Sequence, residues 1–165
     1  MEVKNKFFLL MLASALFISF TSCGDDDDNP DYAKEIAGTY KGILSMDMGD
    51  NGWGPISDEN FIITVTRNSN TMVTLRIENQ NLPILGDISL DVECTSNVTF
   101  NNGVYGITGN TTWDVIPTQV TIPIQVNGTI TSAGIAKINI AAIDVPGGLP
   151  FPGGTFNVVF DGNKE

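Results

Sequence analysis

From Ile36 onward the apolar residues of this chain recur at every second position, and that period admits few folds. Val73, Leu75 and Ile77 alternate with Thr74, Arg76 and Glu78; Val120, Ile122, Ile124 and Val126 alternate with Thr121, Pro123, Gln125 and Asn127. Successive side chains of a strand point to opposite faces, so each run reads as a strand with one buried and one wet face. Further runs cover Gly38 to Met48, Phe61 to Arg67, Leu85 to Thr95, Asn97 to Phe100, Val104 to Val115, Ala136 to Ile143 and Thr155 to Asp161. Asn68-Ser69-Asn70, Asn101-Asn102-Gly103 and Ser132-Ala133-Gly134 supply tight turns between them. Only Asp31 to Ile36 suits a helical turn. Short strands, brief turns and no strong helix predict an all-β, antiparallel up-and-down barrel of eight or nine strands, with a β-sandwich as the alternative. Proline cannot donate to a ladder, so outward-facing Pro123 predicts a bulge or a gap in the hydrogen bonding beside it.

The residues before Ile36 follow other rules. Lys4 and Lys6, the apolar run Phe7 to Phe20 and small Ser22 have the layout of a secretory signal. Fourteen helical residues reach about 21 Å, short of the roughly 30 Å hydrocarbon core of a bilayer, so the run is predicted to direct export and not to span. Phe20-Thr21-Ser22-Cys23 resembles the lipobox of bacterial lipoproteins, with Phe20 where that family usually has Leu. The resemblance implies cleavage before Cys23, acylation of Cys23 and attachment to the outer membrane. Several acyl chains hold stably where one holds marginally. Asp25 to Asp28, followed by Asn29 and Pro30, self-repel and read as an extended, solvated tether. Acids directly after the cysteine also resemble the export signal of surface lipoproteins in certain anaerobic Gram-negative bacteria, which implies exposure at the cell surface; the periplasmic face is the alternative. The chain thus divides into a signal peptide (1–22), a lipidated tether (23–35) and one barrel domain (36–162).

Within that domain, Ile36-Ala37-Gly38-Thr39-Tyr40-Lys41-Gly42, Leu85-Gly86-Asp87-Ile88, Val126-Asn127-Gly128-Thr129-Ile130 and Asn157-Val158-Val159-Phe160-Asp161-Gly162 resemble the calycin-like β-barrel domain of bacterial surface lipoproteins. Gly38-Thr39-Tyr40 sits where the similar lipocalins carry Gly-x-Trp on the first strand. The resemblance implies a barrel and transfers no ligand, since function resides in sites grafted on folds.

An eight-stranded barrel either fills its interior with side chains or holds one small ligand. Tyr40, Leu44, Met46, Phe61, Phe100, Phe156 and Phe160 belong to the inward set and would occupy much of that space. Two loops rich in Gly and Pro, Asp47 to Pro55 and Asp144 to Gly154, carry Trp53, Leu149 and Phe151. These residues either fold back to plug the barrel ends or form the lip of a binding site, because aromatics carry contact energy at low entropic cost. In a meander, alternate connections fall at the same end. Eight strands therefore put both loops at one mouth, and nine put them at opposite ends. Tyr40, Trp53, Trp113, Leu149 and Phe151 are the candidate contacts for a small apolar ligand or, in an accessory module or enzyme inhibitor acting through the rim loops, for an extracellular protein or glycan.

Charge and composition exclude other classes. The formal net charge is −11, and removing the leader's one acid and two lysines makes it −12, which disfavours nucleic acid. The chain has no histidine, which removes the usual general base, the Ser-His-Asp and Cys-His dyads and the usual zinc ligand. A carboxylate pair could act on glycosides, for instance with Asp114 beside Trp113, yet Glu78, Asp91 and Glu93 alternate onto strand exteriors. Asp47, Asn51, Gly52 and Asp58 mimic part of a calcium loop, but Gly49 and Pro55 occupy ligand positions and no helices flank it. The expectation is a non-catalytic domain without metal or cofactor. Three Asn-x-Thr triplets read as incidental in a chain rich in Asn and Thr, and Cys94 reads as a small core residue.

Overall fold

The computed structural model describes residues 30–47, 53–82, 88–115, 118–147 and 154–165. A single helical turn, α1 (Tyr32–Ile36), is followed by strands β1 (Gly38–Asp47), β2 (Trp53–Pro55), β3 (Phe61–Ser69), β4 (Met72–Leu82), β5 (Ile88–Asn101), β6 (Val104–Val115), β7 (Val120–Thr131), β8 (Ile135–Val145) and β9 (Gly154–Lys164). Neighbouring strands pair antiparallel in chain order, and β1 also pairs with β9, which closes the sheet. The wall has eight staves, because β2 and β3 share one. The inner half of β1 pairs with β3 (Gly42 with Phe61) and its outer half with β2 (Met46 with Gly54).

Ser57 sits at the break between the two pieces. Its hydroxyl accepts the Leu44 N–H at 2.7 Å, while the Leu44 carbonyl accepts from Ile56 N–H at 2.8 Å. A backbone donor that faces no strand is thereby satisfied, which a buried ladder requires. The period-two pattern does not announce β2, since Trp-Gly-Pro has no alternation; its partner strand recruits it.

The runs expected as Leu85 to Thr95 and Asn97 to Phe100 are one strand, β5. Inward-facing Ser96 interrupted the apolar pattern there, yet it is the one buried polar residue among the described ones. Its hydroxyl lies 3.5 Å from the Cys94 thiol. Opposite them stands Gly109, where a Cβ would collide with both side chains. Pro123 pairs with Thr112 in an unbroken β6–β7 register, but the β7–β8 ladder stops at Ile124, so the missing donor falls at the predicted gap.

Strand ends fix two rims. One carries the turns after Ser69, Asn101 and Thr131, together with α1 and the C-terminal end of β9. The other carries the ends joined by residues 48–52, 83–87, 116–119 and 146–153. We call these the helix end and the mouth. At the helix end Ala33 and Ile36 are fully buried and cap the core. Asp31 caps α1 by accepting the Lys34 N–H at 3.0 Å and also takes the Arg67 guanidinium at 2.8 Å. That guanidinium holds the Asp31 carboxyl below the usual carboxylate range.

Candidate functional site

Of the five candidate contacts, Tyr40 and Trp113 are both buried and lie at opposite ends of the interior. Tyr40, near the start of β1, donates its hydroxyl to the Ile36 carbonyl at 2.7 Å and so ties the first strand to α1. Burial pushes its pKa up to about 12. Trp113, near the outer end of β6, faces inward below the mouth, while the next residue, Asp114, faces outward and accepts the Thr121 hydroxyl. These neighbours in sequence therefore lie on opposite faces of the wall. Trp53 pairs with Asp47 at the mouth, and its side chain is outside the described residues. Leu149 and Phe151 lie outside them entirely, as do Cys23 and the whole leader and acidic tract. Eight staves put residues 48–52 and 148–153 in connections at the same end.

The interior is packed. Tyr40, Leu44, Met46, Phe61 and Phe160 are buried as the alternation required, and Phe156 is half-buried. Phe100 departs from the expected set: it has inward parity but is 42% exposed, because β5 runs past the last ring of the core and its ring stacks on Tyr32 at 5.4 Å. Among the described residues a gap of about 20 Å³ lies toward the mouth, lined by Leu44, Leu82, Trp113, Ala142 and Phe156. A second, of about 10 Å³, lies deeper, among Ile63, Leu75, Cys94 and Val126. Ile140 borders both and separates them. Ligand pockets run to roughly 300–1,000 Å³, and a single water needs some 10–15 Å³ with polar partners. These apolar gaps hold neither.

A larger concavity lies outside the barrel, where the wall splits between β3 and β4. Beyond Thr64 and Arg76 the ladder between them ends, and β4 shifts register between Ile77 and Gln80. Gln80 repairs the seam with its side chain: its Oε1 accepts the Ile62 N–H at 3.0 Å and its Nε2 donates to the Ile62 carbonyl. A cleft of about 550 Å³ results, with Ile56 and Phe61 as its apolar floor and Ser57, Asp58, Asn60 and Asn81 around it. Asp58 accepts the Asn60 N–H at 2.9 Å, which sets the turn into β3. None of these residues was a candidate contact from the sequence; Asp58 entered only through the partial calcium-loop pattern and Phe61 as a core residue. A signal was present: the alternation fails over Glu78-Asn79-Gln80-Asn81, a polar run inside a strand.

Charged groups elsewhere sit on the outer wall. Arg76 donates to Glu78 and Glu93 and lies 3.6 Å from Asp91, and these carboxylates hold the guanidinium pKa above its ordinary value. All four side chains are more than a third exposed, so the network is worth little in water.

A closed antiparallel barrel of eight staves, capped by a short helix and filled by its own side chains, defines this chain as a calycin-type barrel. It belongs to the calycin-like beta-barrel domain family, whose model matches residues 36–163. No curated protein matches it. Among solved structures it is similar to a "putative outer membrane protein" of Bacteroides fragilis, with 22% identity and a TM-score of 0.55, over 80% of this chain and 52% of that one. The chain therefore spans about half the length of that protein, and the likeness concerns the fold.

Proposed function

We propose that this protein is a lipoprotein, held on the outer membrane through acylated Cys23 and exposed at the cell surface, whose barrel is a non-catalytic binding module for an extracellular protein or glycan. The packed interior carries this reading. With internal voids of about 20 and 10 Å³, recognition falls to the mouth and to the adjoining cleft of about 550 Å³. Trp53, at the start of β2, and Leu149 and Phe151, in the connection before β9, are its contact residues, with buried Trp113 on the inner wall near the same end. Tyr40 is assigned to holding α1. A small apolar ligand inside the barrel would have to displace core side chains, which the geometry does not favour. The leader, the lipobox-like Phe20 to Cys23 and the acidic tract support the anchor, and the outer-membrane designation of the Bacteroides protein agrees with it.

Three measurements test this. Cys23→Ala is expected to move the protein from the membrane fraction to the soluble fraction, and protease added to intact cells is expected to degrade the wild type. Retention of the variant in the membrane, or protection of the wild type, would refute the anchor or the exposure. Native mass spectrometry of protein purified from its own cells is expected to give the acylated chain alone; a retained small apolar molecule would replace the rim reading with an interior one.

A further inference from the structure

Large apolar residues left exposed on this barrel are not scattered. Four of the six among the described residues, Met72, Phe100, Val104 and Ile135, flank the three hairpin turns of the helix end. Ile135 is 54% exposed, the most of the set. Tyr32 extends the patch by stacking on Phe100, which itself lies 4.8 Å from the Tyr105 ring. The turns are tied into one surface: Ala33 N–H donates to the Asn70 carbonyl, Ser132 N–H to that of Gly103 and Lys164 N–H to that of Gly134.

The cations gather along the same axis. Lys34, Lys41, Arg67, Lys137 and Lys164 lie in the helix half, and only Arg76 among the described cations lies nearer the middle of the barrel. Acids occur in both halves: Asp47, Asp58, Glu59, Asp91, Asp114 and Asp144 lie toward the mouth, and Asp31, Glu35, Asp161 and Glu165 toward the helix end, where Asp31, Asp161 and Glu165 pair with Arg67, Lys137 and Lys41. The tether also enters at the helix end, at Asp31. From Cys23 to Pro30 there are eight residues, and at about 3.5 Å per extended residue they reach less than roughly 30 Å. Fourteen-residue β5 alone is over 40 Å long at about 3.4 Å per residue.

We infer that the helix end is a membrane-contact surface, where Phe100, Val104, Met72 and Ile135 enter the lipid interface around the anchor and the acidic mouth points away from the membrane. A cluster of exposed apolar residues beside long lysine side chains suits a membrane surface, because aliphatic groups enter the boundary while lysine stems lie along it with their heads in the headgroup layer. A short tether on that rim holds the patch within reach of the bilayer and leaves the mouth free. The inference rests on the acylation of Cys23 proposed above.

The test uses the full acylated chain in vesicles of phosphatidylethanolamine and phosphatidylglycerol. Spin labels are placed on Val104→Cys and Ile135→Cys at the helix end and on Thr121→Cys near the mouth, all exposed outward positions. Cys94 is buried and burial raises its thiol pKa, so it stays unlabelled. Labels at 104 and 135 are expected to lose collisions with a water-soluble nickel chelate and gain them with oxygen, while the label at 121 keeps its chelate collisions. If the chain floats with the vesicles but labels 104 and 135 read as water-exposed, or label 121 reads as lipid-immersed, the surface is refuted and the anchor stands. If the wild-type chain does not float at all, both fall.

Discussion

Single side chains decide how the ends of this barrel are held. Tyr40 is the clearest case, because its ring is part of the core and its hydroxyl donates to a helix carbonyl. Tyr40→Phe keeps the ring and strands the Ile36 carbonyl, so it should cost about 1–3 kcal/mol and lower the melting temperature measured by circular dichroism. The pH dependence has a definite sign. With the folded pKa raised to about 12 from an ordinary value of 10.0, the unfolded chain loses its proton first, so stability is full below pH 10.0 and falls as pH rises through about 12. Denaturant titrations across that window should show the loss in the wild type and less of it in Tyr40→Phe. Cys94 follows the same logic of burial: it should react with a disulfide reagent only as fast as the protein opens. The alternation around residues 38–46 and 88–94 already placed both side chains inward. The partner of the Tyr40 hydroxyl was not legible, because it belongs to a helix on the other side of a turn.

At the scale of strands, the closing seam and the split seam pull in opposite directions. Gly42 of β1 faces Gly162 of β9, and a Cβ on Gly42 would meet the backbone of Asp161 and Gly162, while one on Gly162 would strike the Phe160 ring. Barrels need such close approaches where the sheet bends. Gly162→Ala should therefore destabilise by about 1–3 kcal/mol, read as a lower urea midpoint with unchanged slope. On the other side, Gln80 stands in for a strand by bonding both backbone groups of Ile62. Gln80→Ala should leave global stability nearly unchanged and speed amide exchange at Ile62, measured by hydrogen–deuterium exchange. Strand pairing in chain order was legible from short turns and one-sided runs. The β2 segment and the split at β4 were not, because a side chain that imitates backbone leaves only a lapse in the period as its trace.

At the scale of the whole molecule, the described residues form a barrel packed with its own side chains and a cleft on its outer wall. Isolating Trp113 by Trp53→Phe should give a blue-shifted emission that acrylamide quenches poorly, and a long-chain fatty acid should leave it unchanged; strong quenching or a fatty-acid-dependent shift would reveal a hollow interior. The chain by itself determined an all-β antiparallel meander, since a period of two buries one face of every strand, and left barrel and sandwich as the ways to bury it; closure, by which such a meander loses its edges, is seen in the β1–β9 pairing. The chain also determined that both Gly- and Pro-rich loops would share a mouth once the stave count was eight. Only the tertiary structure decided that count, the small size of the gaps between the described core side chains and the position of the cleft. Those depend on which residues meet across strands far apart in sequence: Phe160 beside Phe61, Ile140 between two voids, Gln80 against Ile62. Periodicity tells a side chain which way to face, and packing alone tells it what it meets there.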